Sequence, residues 1–280
     1  MMSARRVLFL AYNFPPHGGP GVQRSLKFVK YLPDFGWQPV VLSAAEEAGP
    51  ILDPSLVTDI PSGVPVWRLP AFNIQKVLAA AARLGLKRVA VLLNLLLQIP
   101  DPGIFWARRA RRAAKELIAT TRPELIYSTS GPNSSHLAAR WIQQDSGLPW
   151  LADFRDPWSA NLVIPYLPGY RALNRQLERG VLAAADRVAC VSQPWLADLQ
   201  ANLGVQSDKF VLIPNGYDPD DLPQLSRPGA AGLFTLTHTG SLYRNRRPDG
   251  FLAAVQLLLE RGELDREQIR VRFVGRDSAR

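Results

Sequence analysis

Short apolar runs alternate with segments of helical periodicity along almost the whole chain. Val7-Leu8-Phe9-Leu10-Ala11 is an unbroken apolar run of strand length, the pattern of a strand covered on both faces. Val22 to Phe35 follows it, with Val22, Leu26, Val29 and Leu32 at near-helical spacing, which predicts a helix. The same reading predicts strands at 39–42, 64–69, 125–127, 150–152, 187–191 and 210–213, and helices at 134–144, 170–184 and 194–203. Strand after helix after strand implies an α/β fold, a Rossmann-like doubly wound parallel sheet with helices on both faces.

Pro214-Asn215-Gly216-Tyr217-Asp218-Pro219, Pro223 and Arg227-Pro228-Gly229 interrupt the alternation and read as a linker. It restarts with a strand at 233–239, a helix at 248–261 and a strand at 269–274. The chain thus divides into residues 1–228, an N-terminal Rossmann-like domain, and 229–280, part of a second one. A single strand–helix–strand unit cannot cover both faces of its own sheet, and domains usually need about 100 residues. The second domain is therefore expected to be incomplete.

Composition narrows the class. At 47% hydrophobic and 20% charged residues the chain is of ordinary globular type, not disordered. Its single cysteine, Cys190, excludes an internal disulfide framework and fits a reducing compartment. The net charge of +9 favours anionic partners: nucleotides, phosphorylated sugars or acidic lipid surfaces. Nucleic acid is not expected, because no zinc finger, basic zipper or aromatic RNA-binding signature is present. No secretory signal core is visible, and the apolar run Val89–Pro100 falls short of the ~20 residues that span a bilayer. From Ile74 to Leu97 one helical wheel aligns Lys76, Arg83 and Lys87 opposite Val77, Leu78, Ala81, Leu84, Leu92, Leu95 and Leu96. Such a helix either docks on the core with a wet basic face or lies on an anionic membrane.

Candidate chemistry collects where strands end. Tyr12 to Gly21 follows the first strand and holds Gly18, Gly19 and Gly21, glycines of the kind that let backbone N–H groups approach a phosphate or sugar. His17 lies in the same loop. Asp153, Arg155 and Asp156 follow another strand; carboxylates there bind sugar hydroxyls or take a proton, and an arginine grips phosphate. An internal Asp–Arg pair is the equal alternative. Ser128 to Ser135 leads into a helix whose first turn carries His136, with Asn133 or Ser134 as N-cap. Arg244, Arg246 and Arg247 stand in the loop after Gly240, a candidate diphosphate clamp. With three histidines and no ligand spacing, no metal is expected.

Seven segments occur in order: Phe14-Pro15-Pro16-His17-Gly18-Gly19-Pro20-Gly21, Asp101-Pro102 with Trp106, Tyr127 to Pro132, Asp153 to Trp158, Val191-Ser192, Ile213 to Asp218 and Thr239 to Tyr243. Together they resemble the family 4 glycosyltransferases of the GT-B fold, specifically the subfamily-4-like N-terminal domain. The resemblance implies an acceptor-binding N-terminal domain facing a domain that binds a nucleotide sugar. It implies transfer of the sugar with retention, without metal or other cofactor, to a cell-surface polysaccharide or lipid-linked acceptor. His136 and Asp153 would face the cleft as catalytic residues. Gly18, Gly19, Gly21, Arg155, Asp156, Asn215, Gly240, Arg246 and Arg247 would bind substrate or donor. A cytoplasmic location follows, or a peripheral one on the inner membrane face through 74–97.

Three positions depart from the family pattern. Ser128 to Ser130 stand where many members carry a histidine, and Ser241 where an arginine is common. The glutamate-containing donor motif would lie beyond Arg280, so little transfer is expected of these 280 residues alone. The alternatives are a non-catalytic acceptor-binding or partner subunit and, more distantly, a sugar-nucleotide epimerase of similar two-domain fold.

Overall fold

A computed structural model describes residues 5–46, 51–71, 74–86, 88–89, 91–92, 99–161, 169–203, 207–222, 233–240, 242 and 247–275. The chain forms two compact units, Met1–Tyr217 and Asp218–Arg280. The division expected at 228/229 falls outside the described residues.

In the first unit, β1 (Arg5–Leu10), β2 (Trp37–Ala44), β3 (Val66–Leu69), β4 (Leu125–Thr129), β5 (Trp150–Phe154), β6 (Arg187–Cys190) and β7 (Phe210–Leu212) form one parallel sheet. The order is β3-β2-β1-β4-β5-β6-β7, so the winding reverses between β1 and β4. In open sheets of this kind ligands gather beyond the strands' carboxyl ends at that reversal. The apolar run of β1 serves both faces: Leu8 and Leu10 enter one core cluster, Val7 and Phe9 the other. The second cluster is covered by Leu26 and Val29 of α1 (Pro20–Tyr31). The first is covered by α3 (Ile104–Thr121), α4 (Ser134–Ser146), α5 (Tyr170–Ala184) and α6 (Gln193–Leu203). Each buried Leu or Phe contributes about 1.5–3 kcal/mol. The doubly wound α/β expectation is met in this unit.

Two elements differ from the pattern reading. The single helix expected over 74–97 stops early: α2 spans Ile74–Arg83, and Gly85 at φ 73° turns the chain. Leu86 N–H reaches Ala81 O at 2.9 Å and Gly85 N–H reaches Ala82 O at 3.2 Å, the bond pair of a glycine-terminated helix. The wheel's phase therefore breaks at Gly85; the side chains of Lys76, Val77, Leu78, Lys87, Leu95 and Leu96 lie outside the described residues. The 18-residue α3, by contrast, has no counterpart in the predicted elements.

The second unit pairs β8 (Phe234–Thr239) in parallel with β9 (Ile269–Val274) across α7 (Asp249–Glu260). Among its described residues no apolar side chain is fully buried, and Phe234, Leu257 and Val274 are exposed.

Candidate functional site

Strand parity sorts the chemistry at the carboxyl edge. Thr129 of β4 pairs with Asp153 of β5, and Tyr127 points to the same face two residues earlier. That face carries α1, whose first turns bring Arg24 over the strand ends. Arg24 donates through Nε and Nη2 to both oxygens of Asp153, at 2.9 and 2.8 Å. The Tyr127 hydroxyl donates to the same carboxylate at 2.7 Å and the Thr129 hydroxyl at 3.0 Å. Both charged side chains are enclosed, 7% and 0% exposed. Arg24 also donates to Ile213 O at 2.9 Å, Pro214 O at 3.0 Å and Asn215 Oδ1 at 3.2 Å. One buried ion pair thus ties α1, β4, β5 and the segment after β7. Desolvation pulls the Arg24 pKa down, but hydrogen bonding and charge from Asp153 outweigh it and raise it. Burial, then the Asp153 charge, push the Tyr127 phenol well above its ordinary value.

Arg155 makes the second tie. Its Nη1 donates to Gly21 O and its Nη2 to Ser130 O, while its backbone N–H donates to Ser130 Oγ at 2.9 Å. The guanidinium lies across two glycines: a Cβ on Gly131, whose φ is +84°, would sit 2.8 Å from Nη2, and one on Gly21 3.3 Å from Nη1. Asn13 Nδ2 donates to Gly131 O at 2.8 Å, closing the first loop onto the fourth. Burial lowers the Arg155 pKa, and Asp153 opposes that.

His136 lies on the opposite face of the sheet from Asp153. Its Nδ1 shares a 2.8 Å hydrogen bond with Ser128 Oγ, and its ring stacks on Phe154 at 4.4 Å. It is fully buried, its Nε2 has no partner among the described residues, and burial lowers its pKa to about 3. Asn133 stands at the N-cap position of α4, as expected, but makes no side-chain capping bond. Asp101 accepts the Ser134 N–H at 3.0 Å and the Ser134 hydroxyl, occupying the positive end of that helix.

The expectation that His136 and Asp153 face a cleft is therefore corrected. Both are enclosed, on opposite faces, because a sheet alternates its side chains. The glycine loop is likewise used internally: Gly18 N–H donates to Ile51 O at 3.0 Å, and the Gly21 carbonyl accepts from Arg155. Gly19, at φ 101°, has open space beside it. His17 is buried, with Nε2 at 3.1 Å from Ala45 O. Asp156 and Asn215 are exposed at the edge. In the second unit, Gly240 N–H donates to Val274 O at 2.9 Å. Arg247 pairs with Asp249 at 2.6 Å and lines a cavity of about 410 Å³ with His238 and Phe251. Arg244 and Arg246 lie outside the described residues. Among the described residues no group of His, Cys, Asp or Glu is arranged to hold a metal.

Arg24 is the residue the pattern missed. Its signal was indirect: an aspartate inside the apolar run Trp150-Leu151-Ala152-Asp153-Phe154 requires a buried partner.

A sequence profile described as a glycosyl transferase 4-like domain matches residues 18–216. No curated protein matches the chain. Among solved structures it is similar to the S. aureus MnaA–UDP co-structure, at 12% identity and TM-score 0.53, over 98% of this chain and 63% of that one. It is also similar to a putative UDP-N-acetylglucosamine 2-epimerase from Listeria monocytogenes, at 14% identity and TM-score 0.50, over 96% of this chain and 61% of that one. The chain thus spans under two thirds of the length of either structure. At these identities the likeness is one of fold.

Proposed function

We propose, on the premise that this chain belongs to the glycosyl transferase 4-like family, that it takes part in moving a sugar from a nucleotide-sugar donor to a glycan or lipid-linked acceptor. We further read the transfer as retaining and metal-independent. The observation that carries this is the family match over 18–216, which spans every loop gripped by Arg24 and Arg155. Within this reading Asp153 is a positioning residue: enclosed by Arg24, Tyr127 and Thr129, it acts through the loops it holds. The groups left to meet substrate are the exposed Asp156, Asn215 and the backbone at Gly19. Arg247 and Arg246 supply the donor's phosphate contacts.

Calorimetry with UDP and GDP tests the donor half, UDP first because a structure of similar fold is a UDP complex. Saturable binding is expected, weakened about tenfold or more by Arg247→Ala, since a charge-assisted hydrogen bond contributes ~1.5–3 kcal/mol. Absence of nucleotide binding by the folded chain would favour the acceptor-binding partner reading instead.

A membrane contact belongs to the same proposal. No helix among the described residues is long and apolar enough to cross a membrane. On either side of the break at Gly85, however, Leu84 (75% exposed), Leu86, Val89, Val91 and Leu92 stand exposed alongside Arg83 and Arg88. We assign this segment to peripheral contact with an anionic inner leaflet. Co-sedimentation with phosphatidylglycerol vesicles is expected, and Leu84→Glu with Leu92→Glu should weaken it at least about tenfold, from ~1.5–3 kcal/mol per inserted leucine. Equal sedimentation of the variant would refute the assignment.

A further inference from the structure

A second site stands apart from the arginine ties. The segment after β5 continues as Asp156-Pro157-Trp158-Ser159 and docks on α5, where Trp158 Nε1 donates to Asn174 Oδ1 at 2.7 Å. Beside this dock, between α5 and α6, lies a cavity of about 510 Å³ lined by Ser159, Ala172, Glu178, Trp195 and Leu199 among others. It opens near the start of both helices, past the carboxyl ends of β5 and β6, where open α/β sheets place ligands. Its volume falls within the ~300–1,000 Å³ of small-molecule sites.

Two buried polar atoms on this cavity's lining residues have no partner among the described residues. One is Glu178 Oε1, on a side chain only 1% exposed. The other Glu178 oxygen, Oε2, takes both the Ser159 N–H, at 3.1 Å, and the Ser159 hydroxyl. The second orphan is the indole N–H of Trp195, a residue 6% exposed. Buried polar atoms are rarely left without a partner, and a pair on one cavity points to an absent one. Glu178 offers an acceptor and Trp195 a donor, while Ala172, Leu199 and the indole supply apolar wall. An anion is a poor match, because the cavity carries a carboxylate and the flanking Arg171 and Arg175 are already engaged within the protein. Hydroxyl groups suit each orphan, one donating to Oε1 and one accepting from the indole.

We propose that the cavity between α5 and α6 binds a neutral hydroxyl-bearing ring, a hexose residue, held by Glu178 Oε1 and Trp195 Nε1. Burial raises the Glu178 pKa, and a hydroxyl serves that group in either protonation state, accepting from the acid as readily as donating to the carboxylate. Placing this ring in the acceptor rests on the glycosyltransferase reading; the fit of a hexose to the cavity does not.

The test is saturation-transfer NMR and calorimetry on the full chain with methyl glucoside, methyl galactoside, methyl mannoside and N-acetylglucosamine. Saturable binding of at least one is expected. Trp195→Phe keeps the packing and removes only the N–H, so it should weaken that binding about fivefold, the worth of one neutral hydrogen bond. Glu178→Leu removes the carboxyl partner altogether and should weaken it by about tenfold. Ala172→Phe fills the mouth and should abolish it, and serves if either of the others melts early. Wild-type protein that binds none of the four, or variants that all bind as wild type does, would overturn the proposal. Nucleotide binding without hexoside binding would overturn the cavity alone. Hexoside binding lost in the variants, without nucleotide binding, would uphold the cavity and overturn only the donor reading.

Discussion

Asp153→Ala is expected to destabilise the chain by about 3–5 kcal/mol, because it strands a buried charge. Arg24 would keep its place over the strand ends while losing both carboxylate bonds, and the Tyr127 and Thr129 hydroxyls would lose their acceptor. The three acceptors left to Arg24, at Ile213, Pro214 and Asn215, carry no full charge to offset the guanidinium. Arg24→Met should cost a similar amount, since the two hydroxyls left to Asp153 likewise carry no full charge. The double variant Asp153→Leu with Arg24→Met should cost less than the sum, because removing both charges removes the unpaired one. Urea unfolding of the full chain measures all three. A loss below about 1 kcal/mol for Asp153→Ala would mean that Arg24 escapes to water, and that the tie behaves as a surface pair.

The same pair shows how far the pattern of residues carries. The apolar runs located the sheet well, because a strand buried on both faces has no polar position to blur it: β4 and β5 contain the runs that predict them, and β1 takes in all of its run but Ala11. The long α3 escaped because its buried stripe is mostly alanine. Trp106, Ala107, Ala110, Ala114 and Leu117 face the core, while Arg108, Arg109, Arg111 and Arg112 dilute the apolar signal between them. The wheel over 74–97 failed for a different reason. A periodicity does not register one glycine, yet Gly85 at positive φ ends the helix.

The candidate site was legible as an address and not as a set of roles. Among the described residues of the first unit, each loop singled out sits at the carboxyl edge of the sheet, as strand–helix alternation dictates. The equal alternative for the Asp153 cluster, an internal Asp–Arg pair, is what stands there, but the arginine comes from α1, far away in sequence. Partners that meet only through the fold cannot be read from local spacing. Parity could have separated His136 from Asp153: Ser128, which His136 contacts, and Thr129, which Asp153 contacts, are neighbours on β4 and so point to opposite faces.

His136 should make the protein acid-sensitive in a defined window. In the unfolded chain the imidazole takes a proton near pH 6.5; in the fold it stays neutral until about pH 3, because burial against Phe154 excludes the charge. Stability is thus fully present above pH 6.5 and is lost as the pH falls toward 3. At ~1.4 kcal/mol per pH unit the loss reaches about 5 kcal/mol over that span. Asp101 and Glu178 work in the opposite sense. Burial raises both their pKa values, so each takes its proton more readily in the fold and returns part of that stability. His136→Gln removes the titration, so its stability should fall less steeply between pH 6.5 and 4, by about one proton, even if it starts lower at pH 7. Parallel slopes in wild type and variant would show that the ring finds water in the folded state. The consequence reaches the edge of the sheet. His136 occupies the first turn of α4, directly after the Ser130–Gly131 turn that Arg155 and Asn13 hold. Protonating it would charge the core beneath that turn, and acid should release these loops before it unfolds the strands.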